Sequence, residues 1–381
     1  MKLSNLVLLG AFALATFSGQ VSAEELQQPV IQPIAFTLQD DATADSEAKK
    51  WNIFKRDDMA LDISGWTQFG YHDHDNGLFH TNKKKGTVHQ VWFAFDKAYD
   101  ADAEGLGFGY HFDLMYGADA PDTSAGRTLQ TNPSGQTTGW DTLTSDPDGK
   151  GFGWAMPQMY LTTQLNDWTI TVGKFYTIVG YEVVQAPGNF FYSHAKTMYN
   201  SEPFTHTGIL ASKTTEAGLD LTAGYSSGWD TGFQSHGSNG ILGLGKAIGD
   251  NISLNYVTTF GDISDTENGY THSVVMQIEL GEKMDYVFQS DYVDTNERYH
   301  IGVNQYVFYT VSEDISVGAR LEWWRNGNDL GADSEYSVTT GINYRPTSRF
   351  DMILRPEVRI DWDDSSTDTI VIFGMDAIIQ Y

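Results

Sequence analysis

The chain has 381 residues, no cysteine, 38 glycines, 21 phenylalanines, 20 tyrosines, 10 tryptophans and a formal net charge of -27. The missing cysteines exclude disulfide staples and thiolate ligands, and the acid excess excludes nucleic acid as a partner because such a surface repels phosphate backbones. High aromatic content at a mean hydropathy of -0.34 argues against a bundle of membrane helices and fits a sheet in which alternate residues face lipid.

At the N-terminus, Lys2, the apolar run from Leu6 to Phe17 and the small-residue site Val21-Ser22-Ala23 read as a secretory signal peptide over 1–23. Its apolar core is too short to span a bilayer, and no later stretch reaches the roughly 18 apolar residues a spanning helix needs. Residues 24–58 lack strand alternation and carry Lys49-Lys50 and Lys55-Arg56-Asp57-Asp58, so a periplasmic linker is expected there, with a short helix over 42–54 or a lumen plug as alternatives.

Over 59–381 a transmembrane barrel is expected, because segments of about ten alternating residues recur, the length of a tilted membrane strand. Sixteen are read, at 61–72, 87–98, 105–116, 154–165, 167–177, 205–214, 218–227 and 239–248, then 251–262, 269–280, 284–294, 299–311, 314–325, 335–345, 349–361 and 368–381. Pro157 and Pro356 fall inside proposed strands, where each removes a ladder hydrogen bond, and 284–294 and 299–311 alternate weakly. The count is therefore bracketed between 14 and 18.

The connections alternate in length, with short turns such as Asn166, Gly249-Asp250 and Ser312-Glu313 against longer loops such as 73–86, 117–153, 178–204, 228–238 and 326–334. Short periplasmic turns, long extracellular loops and an even strand count place both ends of the barrel on the periplasmic side. The fold class is thus all-β, an antiparallel up-and-down transmembrane β-barrel of about 16 strands. Thr369, Val371, Phe373, Met375, Ala377, Ile379 and Tyr381 share one face of the last strand, which is expected to close the sheet against the strand near Leu61.

A charge on the lipid face at the midplane costs about 2–4 kcal/mol, so the charged sets within these strands point inward. In 105–116 the inward set includes His111 and Asp113; in 314–325 it includes Arg320 and Glu322; in 349–361 it is Arg355, Glu357 and Arg359. Arg345 and Asp376 complete the candidate pore-lining set, and Asp62, Asp96, Glu279, Asp285 and Asp291 add inward acid. Such a ladder either imposes a transverse field on solutes or neutralises itself as a brace; both remain open at this level. The acid excess favours cations in any water-filled mouth.

The loop over 178–204 is long, aromatic and low in net charge, an unusual composition for an exposed loop. It either folds inward, bringing Glu182, His194, Lys196, Glu202 and His206 near a constriction, or packs on itself as a rim. Ser193-His194 are adjacent and point apart in an extended segment, so they form no nucleophile–base pair alone. Asp146-Pro147-Asp148-Gly149 departs from a calcium loop at Pro147 and lacks its closing Glu. Asp361-Asp363-Asp364 is likewise read as loop acid, so no metal, cofactor or catalytic residue is assigned.

The stretch GKFYTIVGYEVVQAPGNFFYSHAKTMYNSEPFTHTG from Gly173, followed by GYSSGWD over Gly224 to Asp230, resembles the OmpL-like β-barrel porin family of Gram-negative outer membranes. The resemblance implies an outer-membrane location and a passive channel for small hydrophilic solutes and ions, whose identity the family leaves undefined. The expected partners are outer-membrane lipid, those solutes, and the barrel-assembly machinery through the C-terminal strand. A homotrimer suits a porin of this size. The competing expectation is a non-conducting structural or adhesive barrel acting through its surface loops.

Overall fold

The computed structural model describes residues 61–75, 77–79, 82–98, 107–124, 152–233, 236–328, 331–346, 351–365 and 368–381. The signal peptide expected at 1–23, the linker at 24–58 and Asp146 to Gly149 lie outside the described residues.

One continuous antiparallel sheet carries β1 (Asp62–His72), β2 (Thr87–Lys97), β3 (Phe108–Gly117), β4 (Gly153–Ala155), β5 (Met159–Leu165), β6 (Trp168–Tyr176), β7 (Thr205–Thr214) and β8 (Leu219–Trp229). It continues through β9 (Ser238–Ile248), β10 (Ile252–Asp262), β11 (Asn268–Glu279), β12 (Met284–Thr295) and β13 (Tyr299–Ser312). The last four are β14 (Ile315–Asn328), β15 (Gly331–Tyr344), β16 (Asp351–Asp363) and β17 (Thr369–Gln380). Helices are minor among the described residues: α1 (Ala120–Thr123), α2 (Lys196–Ser201) and a 3-10 turn at Ala186–Gly188. None of the described helices is long and apolar enough to cross a membrane.

Seventeen strand elements make sixteen staves, because β4 and β5 lie end to end along β3. Pro157 sits in the gap between them, and Gln158 keeps the ladder with its carbonyl, which accepts from Asp113 N–H at 3.0 Å. At Pro356 the strand is not interrupted, and the residue stays within β16 opposite Met375. Its missing donor falls in a gap of the β15–β16 ladder, between the pairs Gly341 with Glu357 and Tyr344 with Leu354, across which the register is unchanged.

Closure is between β1 and β17, from Trp66 opposite Gln380 to His72 opposite Gly374. The pairing runs to the final residue: Gly65 N–H donates to Tyr381 O at 2.8 Å, and Tyr381 N–H donates back at 2.9 Å. A Cβ on Gly65 would collide with the Trp92 carbonyl oxygen and stand 2.9 Å from Tyr381 Cε2, so only glycine fits between the neighbouring backbone and the terminal ring, which lies 5.9 Å from Phe93.

Outward positions are apolar and exposed, including Phe69, Tyr110, Leu161, Val172, Ile209, Leu242, Leu321 and Phe373, as a lipid-facing belt requires. The weak alternation of β12 and β13 has a physical cause. Their inward Val287 and Tyr306 are buried in a cluster with Phe191, joined by Phe308, Phe190 and Tyr181, so these strands carry apolar residues on both faces. The loop expected over 326–334 is strand in its described residues, with Asn328 paired to Gly331. Above the membrane a hairpin needs only backbone pairing, and the hydropathy pattern there carries no signal.

Candidate permeation site

The segment between β6 and β7 enters the lumen and crosses it. Gly180 takes a positive φ of 87° at the descent, and a Cβ there would collide with the Glu202 carboxylate. The inward faces of the wall are cut away by glycine where the segment passes: a Cβ on Gly70 would stand 2.5 Å from Tyr192 Oη, on Gly318 2.6 Å from Phe190, and on Gly374 3.0 Å from Tyr192. Glycine inside a strand marks a close approach, and here the approaching group is the loop.

Three arginines hold it against one wall. Arg320 of β14 donates through Nη1 to Glu182 Oε1 at 2.6 Å and to Ser193 O at 2.8 Å, and through Nη2 to Ser193 Oγ at 3.1 Å. Arg355 of β16 donates through Nη1 to the carbonyls of Ala186 at 2.8 Å and Asn189 at 2.6 Å, while Nε binds Asp376 Oδ1 at 2.9 Å. Arg359 donates to His194 O at 2.5 Å and to Asp361 Oδ1 at 2.7 Å. All three side chains are buried.

Carboxylates of the same wall take the loop's donors. Glu357 accepts Tyr192 N–H at 2.8 Å and Ser193 N–H at 3.1 Å. Glu322 accepts Thr197 N–H at 2.9 Å, at the first turn of α2, and Ser337 Oγ–H at 3.0 Å. The backbone of a loop folded into a lumen must find partners for its polar groups, and this ladder supplies them.

Among the residues expected at the constriction, Glu182 accepts from Arg320, from Tyr306 Oη at 3.1 Å and from Ala195 N–H at 2.8 Å. Burial alone would raise its pKa, but Arg320, His194 and the Ala195 N–H together hold it down at about 2. His194 Nδ1 lies 3.5 Å from Glu182, and Lys196 pairs with Glu335 of β15. Glu202 accepts from Gln289 at 2.7 Å; burial and the neighbouring Asp291 push its pKa well up. His206 is placed in β7 rather than in the loop, 3.1 Å from Thr177 Oγ1.

The pore-lining candidates divide into three places. Arg320, Glu322, Arg355, Glu357, Arg359 and Asp376 face inward and are sealed beneath the loop rather than lining open water. Asp113 belongs to another wall, bound to His111 at 3.0 Å and Gln158 at 2.9 Å. Arg345 stands past the end of β15, where its N–H donates to Asp314 O at 2.8 Å. Ser193 Oγ is taken by Arg320 and His194 sits on Glu182, so the adjacent pair does not converge. In the outer acidic loop, Asp363 and Asp364 accept the backbone N–H groups of Ser365 at 2.9 Å and Ser334 at 3.0 Å.

A second anchor, on β1 and β2, had no local signature. Tyr192 Oη lies 2.7 Å from His89 Nε2, and His89 Nδ1 lies 3.1 Å from Asp119 Oδ1. Gln90 donates to Asp119 at 3.1 Å and to Val184 O at 2.9 Å. A register shift near Gln68 and Phe69 brings both His89 and Gln90 to buried positions, a break in alternation that a period-two pattern cannot show. From the extracellular side Phe79 packs on His194 at 4.7 Å and Phe204 at 5.4 Å, and Tyr199 Oη donates to Asp122 of α1 at 2.6 Å.

A family profile described as "Putative beta-barrel porin-2, OmpL-like" matches residues 60–380. No curated protein matches the chain in sequence. In fold it is similar to a loop L8 deletion mutant of OmpT, an outer membrane protein of Vibrio cholerae, at 12% identity over 84% of this chain and 99% of that one, TM-score 0.56. A Salmonella typhi OmpF complex with daunomycin gives 10% identity, 84% and 97% coverage and TM-score 0.56. The outer membrane channel DcaP of Acinetobacter baumannii gives 10%, 84%, 96% and 0.54.

Proposed function

The chain belongs to the OmpL-like β-barrel porin family and is an outer-membrane protein, and from that premise we propose that it passes small hydrophilic solutes by diffusion, with a weak preference for cations. One observation carries the preference: the inward arginines are neutralised by carboxylates and loop carbonyls, whereas inward Asp62, Glu279 and Asp285 have no ion-pair partner among the described residues. These acids stand at the periplasmic ends of β1, β11 and β12, where an uncompensated negative potential concentrates cations at the mouth.

Planar-bilayer recording tests the proposal. Ohmic single-channel openings with a cation-favouring reversal potential in a potassium chloride gradient are expected; a folded barrel that never conducts overturns it. A non-conducting barrel is favoured by the packing of Phe79, Trp92, Met115, Met198 and Phe204 into one buried cluster within the sheet, and the same recording decides between the two.

Export through a signal peptide at 1–23, a periplasmic linker at 24–58, delivery to the assembly machinery by the last strand and a homotrimeric assembly complete the proposal. Cleavage after Ala23 is checked by N-terminal sequencing, and assembly by native mass spectrometry in detergent.

A further inference from the structure

The underside of the loop forms an aromatic shelf beside two uncompensated carboxylates. Register places Glu279 opposite Asp285, Asp285 opposite Phe308, and Phe308 opposite Gly318, a single inward row across β11 to β14. Phe190 descends from the loop onto this row, its ring 4.7 Å from Phe308, over the bare backbone of Gly318. Tyr181, Phe190, Phe308, Glu279 and Asp285 are all half-buried, and Glu279 and Asp285 stand at the facing ends of β11 and β12.

Neither carboxylate has an ion-pair partner among the described residues. The next inward row toward the periplasm is Thr310, Ser316 and Asn343, and the buried Oδ1 of Asn343 has no hydrogen-bond partner among the described residues. Burial and the charges of Glu182 and Asp285 push the Tyr181 hydroxyl up, so it stays a neutral donor-acceptor at the edge of the shelf. Acceptors and ring faces predominate here.

We propose that this row is a binding subsite for organic cations that join an ammonium group to an apolar or aromatic body. The ammonium is held by Glu279 and Asp285 and by the ring faces, and the body lies on Phe190 and Phe308. A bare alkali ion gains nothing from the shelf, and a neutral aromatic nothing from the carboxylates, so the two features together select the hybrid. The inference deepens the diffusion proposal by naming a solute class, yet the subsite can bind whether or not the barrel conducts.

Titration calorimetry of the full chain in detergent tests it, with phenethylammonium chloride as probe and 2-phenylethanol and ammonium chloride as controls. Phenethylammonium is expected to bind at one site, with both controls at least tenfold weaker. The double substitution Glu279→Gln with Asp285→Asn is expected to weaken the probe at least tenfold while the barrel keeps its heat-modifiable migration in gels. Phe190→Ala is expected to weaken it as well, with Phe308→Leu as the substitute should Phe190→Ala not fold. Equal binding of phenethylammonium and 2-phenylethanol, or undiminished binding after loss of both carboxylates, overturns the subsite. Conduction without probe binding removes this inference alone, and probe binding to a barrel that never conducts removes only the diffusion proposal.

Discussion

Arg320 and Glu182 meet at 2.6 Å with both side chains buried, joining a barrel strand to the loop that crosses its lumen. A buried pair of this kind is weak evidence of net stabilisation, but removal of one partner leaves an uncompensated charge at a cost of about 3–5 kcal/mol.

Arg320→Ala is therefore expected to release the loop more than to unfold the barrel. Single-channel conductance should rise and become noisy, and the strand content seen by circular dichroism should persist. Adding Glu182→Ala should recover part of the lost stability, since the orphaned carboxylate goes with it; strictly additive losses in a double-mutant cycle would show that the two do not couple.

The same pair sets an acid limit. Glu182 titrates near 2 in the folded chain against an ordinary 4.5. With the folded pKa depressed, its contribution is present above about 4.5 and is lost as pH falls toward 2, a difference on the order of 3 kcal/mol. Thermal melts from pH 6 to 2.5 should show a decline in that window that Glu182→Gln removes.

Glu202 has the opposite sign. Its folded pKa lies above the ordinary value because of burial and Asp291, so its contribution is complete below about 4.5 and fades as pH rises through the folded pKa. Glu202→Gln should hold this end of the loop as pH rises through the folded pKa of the natural chain, and conductance of the natural chain should increase over that rise while that of the variant stays flat.

Gly180→Ala places a side chain in the left-handed region and against the Glu202 carboxylate. Strain of about 1–3 kcal/mol is expected, displayed as protease cleavage within 177–204 in an otherwise folded barrel.

Deletion of Ile379 to Tyr381 removes the last ladder bonds to Gly65 and the ring beside Phe93. Loss of the heat-modifiable band, before any change in selectivity of the surviving channels, is the expected result.

Architecture was largely legible in the chain because lipid imposes a period of two on every stave, and β7 falls on 205–214 and β10 within one residue of 251–262. Where lipid is absent the pattern is silent, as in the β14 to β15 hairpin. For the charged ladder, alternation shows that Arg355, Glu357 and Arg359 face inward but not whether water or protein meets them. The His89 to Tyr192 anchor was beyond reach because its two halves lie 103 residues apart. The inward glycines were a usable hint: Gly70, Gly318 and Gly374 each face a loop side chain.

The loop's partners come from both ends of the chain. Gln90 and His89 lie about a hundred residues before it, and Glu357 and Arg355 follow by as many as 169. The first anchors exist as soon as β2 pairs, but two of the three clamp arginines, Arg355 and Arg359, arrive only with β16. Contacts so distant in sequence form late because chain closure must precede them. The crossing segment thus behaves as a keystone: an intermediate lacking β16 and β17 holds it through Arg320 and Glu322 but without Arg355, Glu357 and Arg359, and its full locking reports that the circle is complete.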